Sequence, residues 1–285
     1  MRINLSVFST SGRISIMSMA MLFSIFSCSE EDPVSENDDM QSEQIVYDEA
    51  MADDLFEDMD EISMEAATYS ENGRVKSSLL SSLACLSRTV ARDNSNLSQL
   101  VTLTFGEGCK DSNGRIRSGK IVVTRSIDVQ TASYTLKTTF EDFYVNEYKI
   151  EGTRTIVYTA NADQKITATI TLENGKISLP DGSVITRSAS YTKQIDREAG
   201  EISLTGSAQG INRNGVSYVA TTTSPMIYKT NCALEGIFMA SSGQKMITRS
   251  GKKTLKVDYG NGTCDRTLSL NVDGVERTLE LNFSE

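Results

Sequence analysis

Apolar and polar residues alternate with a period of two along most of the chain beyond Leu97, most cleanly in Ile166-Thr167-Ala168-Thr169-Ile170-Thr171-Leu172. The same alternation carries Val101, Leu103 and Phe105; Tyr134, Leu136 and Phe140; Ile156 and Tyr158; Leu255, Val257 and Tyr259; and Leu279, Leu281 and Phe283. Period two sends successive side chains to opposite faces, so each segment predicts a strand with one buried and one wet face. Asn113-Gly114, Asn174-Gly175, Asp181-Gly182, Asn214-Gly215, Asn261-Gly262 and Asp273-Gly274 are hairpin signals, because these residue types accept positive φ. Consecutive strands should pair antiparallel. About a dozen of them, with no helical pattern beyond residue 100, predict a mainly β fold: a long, curved antiparallel meander. A sheet of that length curls, becomes sandwich-like or closes.

Upstream the period changes. From Gln44 to about Tyr69, Ile45, Ala52, Leu55, Met59, Ile62 and Ala66 recur at spacings of three, four and seven, with Asp48, Asp53, Asp54, Glu57, Asp58, Asp60 and Glu61 between them. This predicts one N-terminal amphipathic helix, residues 44–72, packing its apolar stripe on the sheet and turning its acidic face to solvent. The Met-bearing stripe could alternatively serve a partner. Residues 28–43 are acidic, hold Pro33 and lack periodicity, which predicts a tether, and residues 73–285 form the β domain.

Charge sharpens this division. The 285-residue chain has a net charge of -10, but residues 29–72 hold 17 acidic side chains and no Lys or Arg, whereas residues 73–285 hold 21 acidic and 26 basic ones. The mild basic excess is scattered along strands, so nucleic acid is not an expected partner. There is no His, which removes Ser-His-Asp, Cys-His and most zinc chemistry. Neither a metal nor a cofactor is expected.

The N-terminus carries Arg2 and Arg13, no acid before Cys28, and an apolar run from Ile14 to Phe26 that is short for a membrane span. Residues 1–27 therefore predict a signal peptide. Ile25-Phe26-Ser27-Cys28 resembles a bacterial lipobox, which implies cleavage before Cys28 and its acylation. Ser29-Glu30-Glu31-Asp32-Pro33 resembles the acidic tag of surface-exposed lipoproteins of Bacteroidota. The expected location is the outer membrane, lipid-anchored and at the cell surface, with the periplasmic face as the alternative; the membrane would be a partner through the lipid.

Cys85, Cys109, Cys232 and Cys264 remain, an even number in an exported chain, and two disulfides are expected. Four cysteines allow three pairings. Phe105-Gly106-Glu107-Gly108-Cys109-Lys110-Asp111 resembles Tyr259-Gly260-Asn261-Gly262-Thr263-Cys264-Asp265, and each has one Cys upstream, which favours Cys85 with Cys109 and Cys232 with Cys264. Asp111, Asn113, Asp258, Asn261 and Asp265 flank these glycines; without a full ligand ladder they suit turn formation better than calcium.

Together with the lipobox, FGEGCKDSNG (105–114), TTFEDFYV (138–145), EGTRT (151–155) and YGNGTCD (259–265) resemble a group of Bacteroidota surface lipoproteins of no known activity. The resemblance implies location and fold without chemistry. Glu141 and Asp142 are the most aromatic-framed acids, but adjacent strand positions should face opposite ways, a poor arrangement for two carboxylates cutting a glycosidic bond. No catalytic residue is assigned. The expected function is a noncatalytic binding or structural envelope module with a glycan or protein ligand; Thr135, Lys137, Thr139, Thr153 and Thr155 mark its polar face. The alternatives are a glycan-directed hydrolase, whose acids would converge in a cleft, and a lipid or lipopolysaccharide carrier, which needs an empty apolar trough.

Overall fold

A computed structural model describes residues 36–68, 83, 85–95, 97–160 and 166–282. The described residues belong to one compact unit. It opens with a helix, α1 (Glu36–Thr68), followed by thirteen strands: β1 (Ser87–Arg92), β2 (Ser98–Lys110), β3 (Ile116–Asp128), β4 (Ser133–Val145), β5 (Tyr148–Ala160), β6 (Ile166–Ser178), β7 (Val184–Asp196), β8 (Glu201–Ile211), β9 (Ser217–Lys229), β10 (Ser242–Thr248), β11 (Leu255–Asn261), β12 (Thr267–Val272) and β13 (Val275–Glu280). A short helix, α2 (Thr230–Leu234), lies between β9 and β10, where no helical pattern was expected.

The thirteen strands form one antiparallel sheet in simple sequence order, a meander that curls without closing. Hairpin chemistry decides this order. Asp111, Asn212 and Leu179 carbonyls accept from the Gly114, Gly215 and Gly182 N–H groups, and Asp273-Gly274 turns β12 into β13, with Asp273 at φ 52° and Gly274 at φ 86°. Two expected pairs make no hairpin: Asn261-Gly262 closes β11 against β10, with the Gly262 N–H donating to the Ser241 carbonyl at 2.8 Å, and the other is Asn174-Gly175. It sits inside β6, where Asn174 takes φ 52° and the register slips between Leu172 and Gly175, so its positive-φ tolerance makes a bulge instead of a turn. Further slips occur at Gly106, Gly119, Gly152, Gly206 and Gly243. At Gly119 a Cβ would lie 1.9 Å from the Asp142 carbonyl oxygen, so no other residue permits that crossing. A chain of bulges across successive strands adds local bend, and the sheet curls.

The curl wraps around α1. The helix begins at Glu36 rather than residue 44, so residues 36–43 are helical and do not belong to the tether; Cys28 and residues 69–72 lie outside the described residues. Its apolar residues Ile45, Met51, Leu55, Phe56, Met59 and Ile62 are each at most 2% exposed and join Val101, Leu103, Ile121, Leu136, Ile170 and Leu204 in one core. The Met-bearing stripe is thus core. The acidic face is buried as well, contrary to the expectation of a solvated face: Asp48, Glu49, Asp54 and Asp58 are 0% exposed. At the helix ends, Arg277 of β13 pairs with Asp39 and with Glu43 at 3.0 Å, while Arg88 of β1 and Arg125 of β3 donate to the terminal carbonyls of Ala66 and Ala67. Basic groups there also oppose the negative end of the helix dipole.

Disulfides join Cys85 to Cys109 and Cys232 to Cys264, the pairing favoured by the repeat. The first ties the approach to β1 onto the end of β2; the second ties α2 to the loop after β11.

Candidate functional site: a buried charge ladder and an outer depression

Seven carboxylates of α1 meet seven cations projecting inward from the sheet and its turns. Asp48 takes Arg213; Glu49 and Asp53 share Arg187 and Lys245; Asp54 takes Arg115; Asp58 takes Arg117 and Arg115; Glu57 and Asp60 share Arg154 and Lys193. Arg115 and Arg213 come from turns, and the other five cations occupy the apolar phase of their strands. Arg154 has the parity of Ile156 and Tyr158 in β5, Arg187 and Lys193 that of Ile185, Ala189 and Tyr191 in β7, and Lys245 that of Ile247 in β10. Geometry is tight: the Arg117 guanidinium donates to both Asp58 oxygens at 2.7 and 2.8 Å, and Arg154 grips Asp60 through Nε at 2.5 Å and a terminal nitrogen at 2.7 Å. Tyr218 adds a hydroxyl donated to Glu49 at 2.9 Å, and the Lys245 ammonium stands 5.9 Å from the ring centres of Tyr191 and Tyr259.

The electrostatics follow from burial set against pairing. Burial pushes the Asp53 and Asp60 carboxyls up, but Lys245 and Arg187 outweigh it at Asp53, and Arg154 and Lys193 at Asp60, so both lie below the ordinary value. At Glu57 burial prevails over Lys193 and the carboxyl is raised. Burial would lower Lys193, yet Glu57 and Asp60 push it up to about 12. Every acid of this ladder has its charge already answered by a neighbouring base. Carboxylates held this way fasten α1 to the sheet, so the ladder is an internal clasp.

The sequence-singled acids lie elsewhere. Glu141 and Asp142 do not face opposite ways: the bulge at Asp142, φ 42°, turns both outward, where they meet Lys120 at 3.5 Å and Lys149 at 3.0 Å. Asp111 accepts from the N–H groups of Asn113 and Arg115, Asp258 from Gly260, and Asp265 from Thr267, all turn-forming bonds. Among the described residues, no three His, Cys, Asp or Glu side chains converge to hold a metal ion.

A second feature lies on the outer face. The register aligns Thr155, Thr171, Ser190, Ser207 and Thr221 in one row across β5 to β9, one hydroxyl per strand at about 4.8 Å spacing. Two residues further along, Ser188, Gln209, Val219 and Thr248 form a parallel row crossing a depression of about 700 Å³. Glycines hollow it. Gly210 and Gly175 form part of its floor, where a Cβ would meet the Thr186 carbonyl oxygen at 2.0 Å or that of Arg187 at 2.7 Å. The lining is nearly neutral: Arg187 turns its guanidinium inward to α1, and Lys176 is matched by Glu151 at 2.9 Å. Ile211 and Val219, 43% and 41% exposed, supply apolar patches between the hydroxyls. The Thr alternation signalled this face; the hollow depends on backbone approach that side-chain periodicity does not encode.

No protein family, curated protein or solved structure matches the chain.

Proposed function

We propose that the protein is a noncatalytic binding module held at the outer membrane by an acylated Cys28, displayed on the cell surface, and that the outer depression on β6 to β10 takes a neutral, hydroxyl-rich ligand, a glycan. The observation that carries this reading is the occupation of the sheet's concave side. α1 fills the trough that a lipid carrier would need, and its carboxylates, the acids a hydrolase would need, are consumed by the clasp. The outer face offers ordered hydroxyl and amide groups beside exposed aliphatic side chains, the combination that receives the polar edges and C–H faces of a sugar. Its near neutrality disfavours a charged ligand. The lipobox-like Ile25 to Cys28 and the acidic segment after it support the anchor and the location.

Two measurements test this. Purified protein titrated against a panel of neutral polysaccharides should bind at least one, with affinity reduced roughly tenfold or more in a Ser188→Ala, Gln209→Ala double variant, since two hydrogen bonds are lost. The Asp142→Ala variant should bind normally. Failure of every neutral polysaccharide, or binding indifferent to the double variant, overturns the assignment of the face. For the anchor, Cys28→Ala should lose incorporation of a fatty-acid probe, and protease treatment of intact cells should release the domain; undiminished labelling or full protection overturns anchoring or display respectively.

A further inference from the structure

Between the second half of α1 and the corner where β9 passes into α2 lies a cavity of about 40 Å³, walled in part by Glu57, Glu61, Tyr228, Thr230, Phe238 and Met239. That is room for a small ion with one or two waters. α1 brings three carboxylates to this corner, Glu57, Asp60 and Glu61, whereas the facing strands point two cations at them, Arg154 from β5 and Lys193 from β7; Lys229 of β9 also lines the cavity, but its ammonium is turned away to donate to the Gly262 carbonyl at 2.6 Å. Glu57 and Asp60 engage Arg154 and Lys193. Glu61, half-buried, has neither ion pair nor hydrogen bond among the described residues. On the opposite wall Tyr228 is 7% exposed, and its fully buried hydroxyl also has no partner. A buried phenol oxygen without a partner costs about 1–3 kcal/mol in general, and such groups normally mark a ligand or water.

The charge count indicates the ligand. One carboxylate is left over, so one positive charge completes the corner. A divalent ion would bring one charge too many and would leave the corner with an uncompensated positive charge. We propose that this cavity binds one monovalent inorganic cation between the Glu61 carboxylate and the Tyr228 hydroxyl oxygen.

Protonation of Glu61 is the competing way to remove the excess charge. Burial pushes this carboxyl up to about 7, Lys193 opposing and Glu57, Asp60 and Glu65 reinforcing the shift. Arg154 and Tyr158 of β5, Lys193 of β7, and Tyr228 and Lys229 of β9 are the other titratable groups around it. Relative to an unfolded carboxyl near pH 4.5, the folded state holds the extra proton between about pH 4.5 and 7. Stability from the proton is therefore present at low pH and lost as pH rises through 7. The cation should act where the proton does not.

Thermal melts of the mature protein at pH 8 and pH 5, at constant ionic strength in sodium, potassium, ammonium or choline chloride, separate the two. Choline is too bulky for the cavity. At pH 8 at least one small cation should raise Tm by several degrees above choline, in a saturable manner, and at pH 5 the difference should vanish. Glu61→Gln should abolish the salt-specific rise; Tyr228→Phe should weaken the half-saturating concentration about tenfold while leaving Tm in choline near that of the unaltered protein. Equal Tm in all four salts at pH 8 overturns the proposal, as does a salt-specific rise that survives Glu61→Gln. A Tm that follows pH alone assigns the site to the proton and overturns it too.

Discussion

A chain beginning at Gly73 will not form the curled sheet as a soluble monomer, whereas one beginning at Ser29 will melt in a single cooperative transition. Without α1 the concave face loses Ile45, Val46, Met51, Leu55, Phe56, Met59 and Ile62, all at most 2% exposed. At about 1.5–3 kcal/mol for each large side chain, their burial rivals the whole 5–15 kcal/mol stability of an ordinary domain. The truncation also leaves Arg117, Arg154, Arg187, Lys193 and Lys245 facing inward with their α1 partners gone. Circular dichroism melts and size-exclusion chromatography of the two oxidised chains decide the matter. A monomeric Gly73 chain with a cooperative melt near that of the longer chain would show that the sheet stands alone and that α1 is an accessory.

The second large effect concerns single members of the clasp. Asp58→Ala should destabilise by about 3–5 kcal/mol, because it removes the main partner of a buried guanidinium and leaves that charge stranded. Arg117 is 1% exposed and would keep only Asp111, at 2.8 Å. Asp142→Ala removes a pair whose carboxylate is 88% exposed and should change stability by less than about 1 kcal/mol. Replacing both partners, Asp58→Leu with Arg117→Met, should recover at least half the loss, since desolvation offsets much of what a buried pair gains. Urea unfolding midpoints measure all three. A fall below 1 kcal/mol for Asp58→Ala, or a double variant worse than the single, would contradict the account. The same measurements against pH should show acid loss. Asp53 and Asp60 titrate below their ordinary value in the fold, so their contribution is complete above about pH 4, the unfolded value, and disappears as pH falls through the folded values.

The clasp was legible only in halves. Alternation reported the strands because most inward positions are apolar, and the helical spacing of Ile45 to Ala66 reported α1. The Gly-Cys repeat reported both disulfides. The acidic face was misplaced because charge on one helix face ordinarily faces water. Its burial follows from basic residues that share strand parity with apolar ones, as Arg154 does with Ile156 and Arg187 with Ile185. Taken with a helix that has many acids and no base, that parity is a signal that could have been found. Asn174-Gly175 and Glu141-Asp142 failed for another reason: a bulge uses the same positive-φ residues as a hairpin, and one extra residue shifts every later side chain. The depression and the Glu61 cavity depend on long-range juxtaposition, which neither periodicity nor composition carries.

α1 also ties together the two ends of the described chain. Glu43, near the start of α1, pairs with Arg277 in the final strand, 234 residues away. Contacts of such separation make folding slow, because chain entropy is lost before they return any stabilisation. α1 therefore cannot complete its native surroundings until the last strand has been made. The fold closes around α1 only when its last strand is in place.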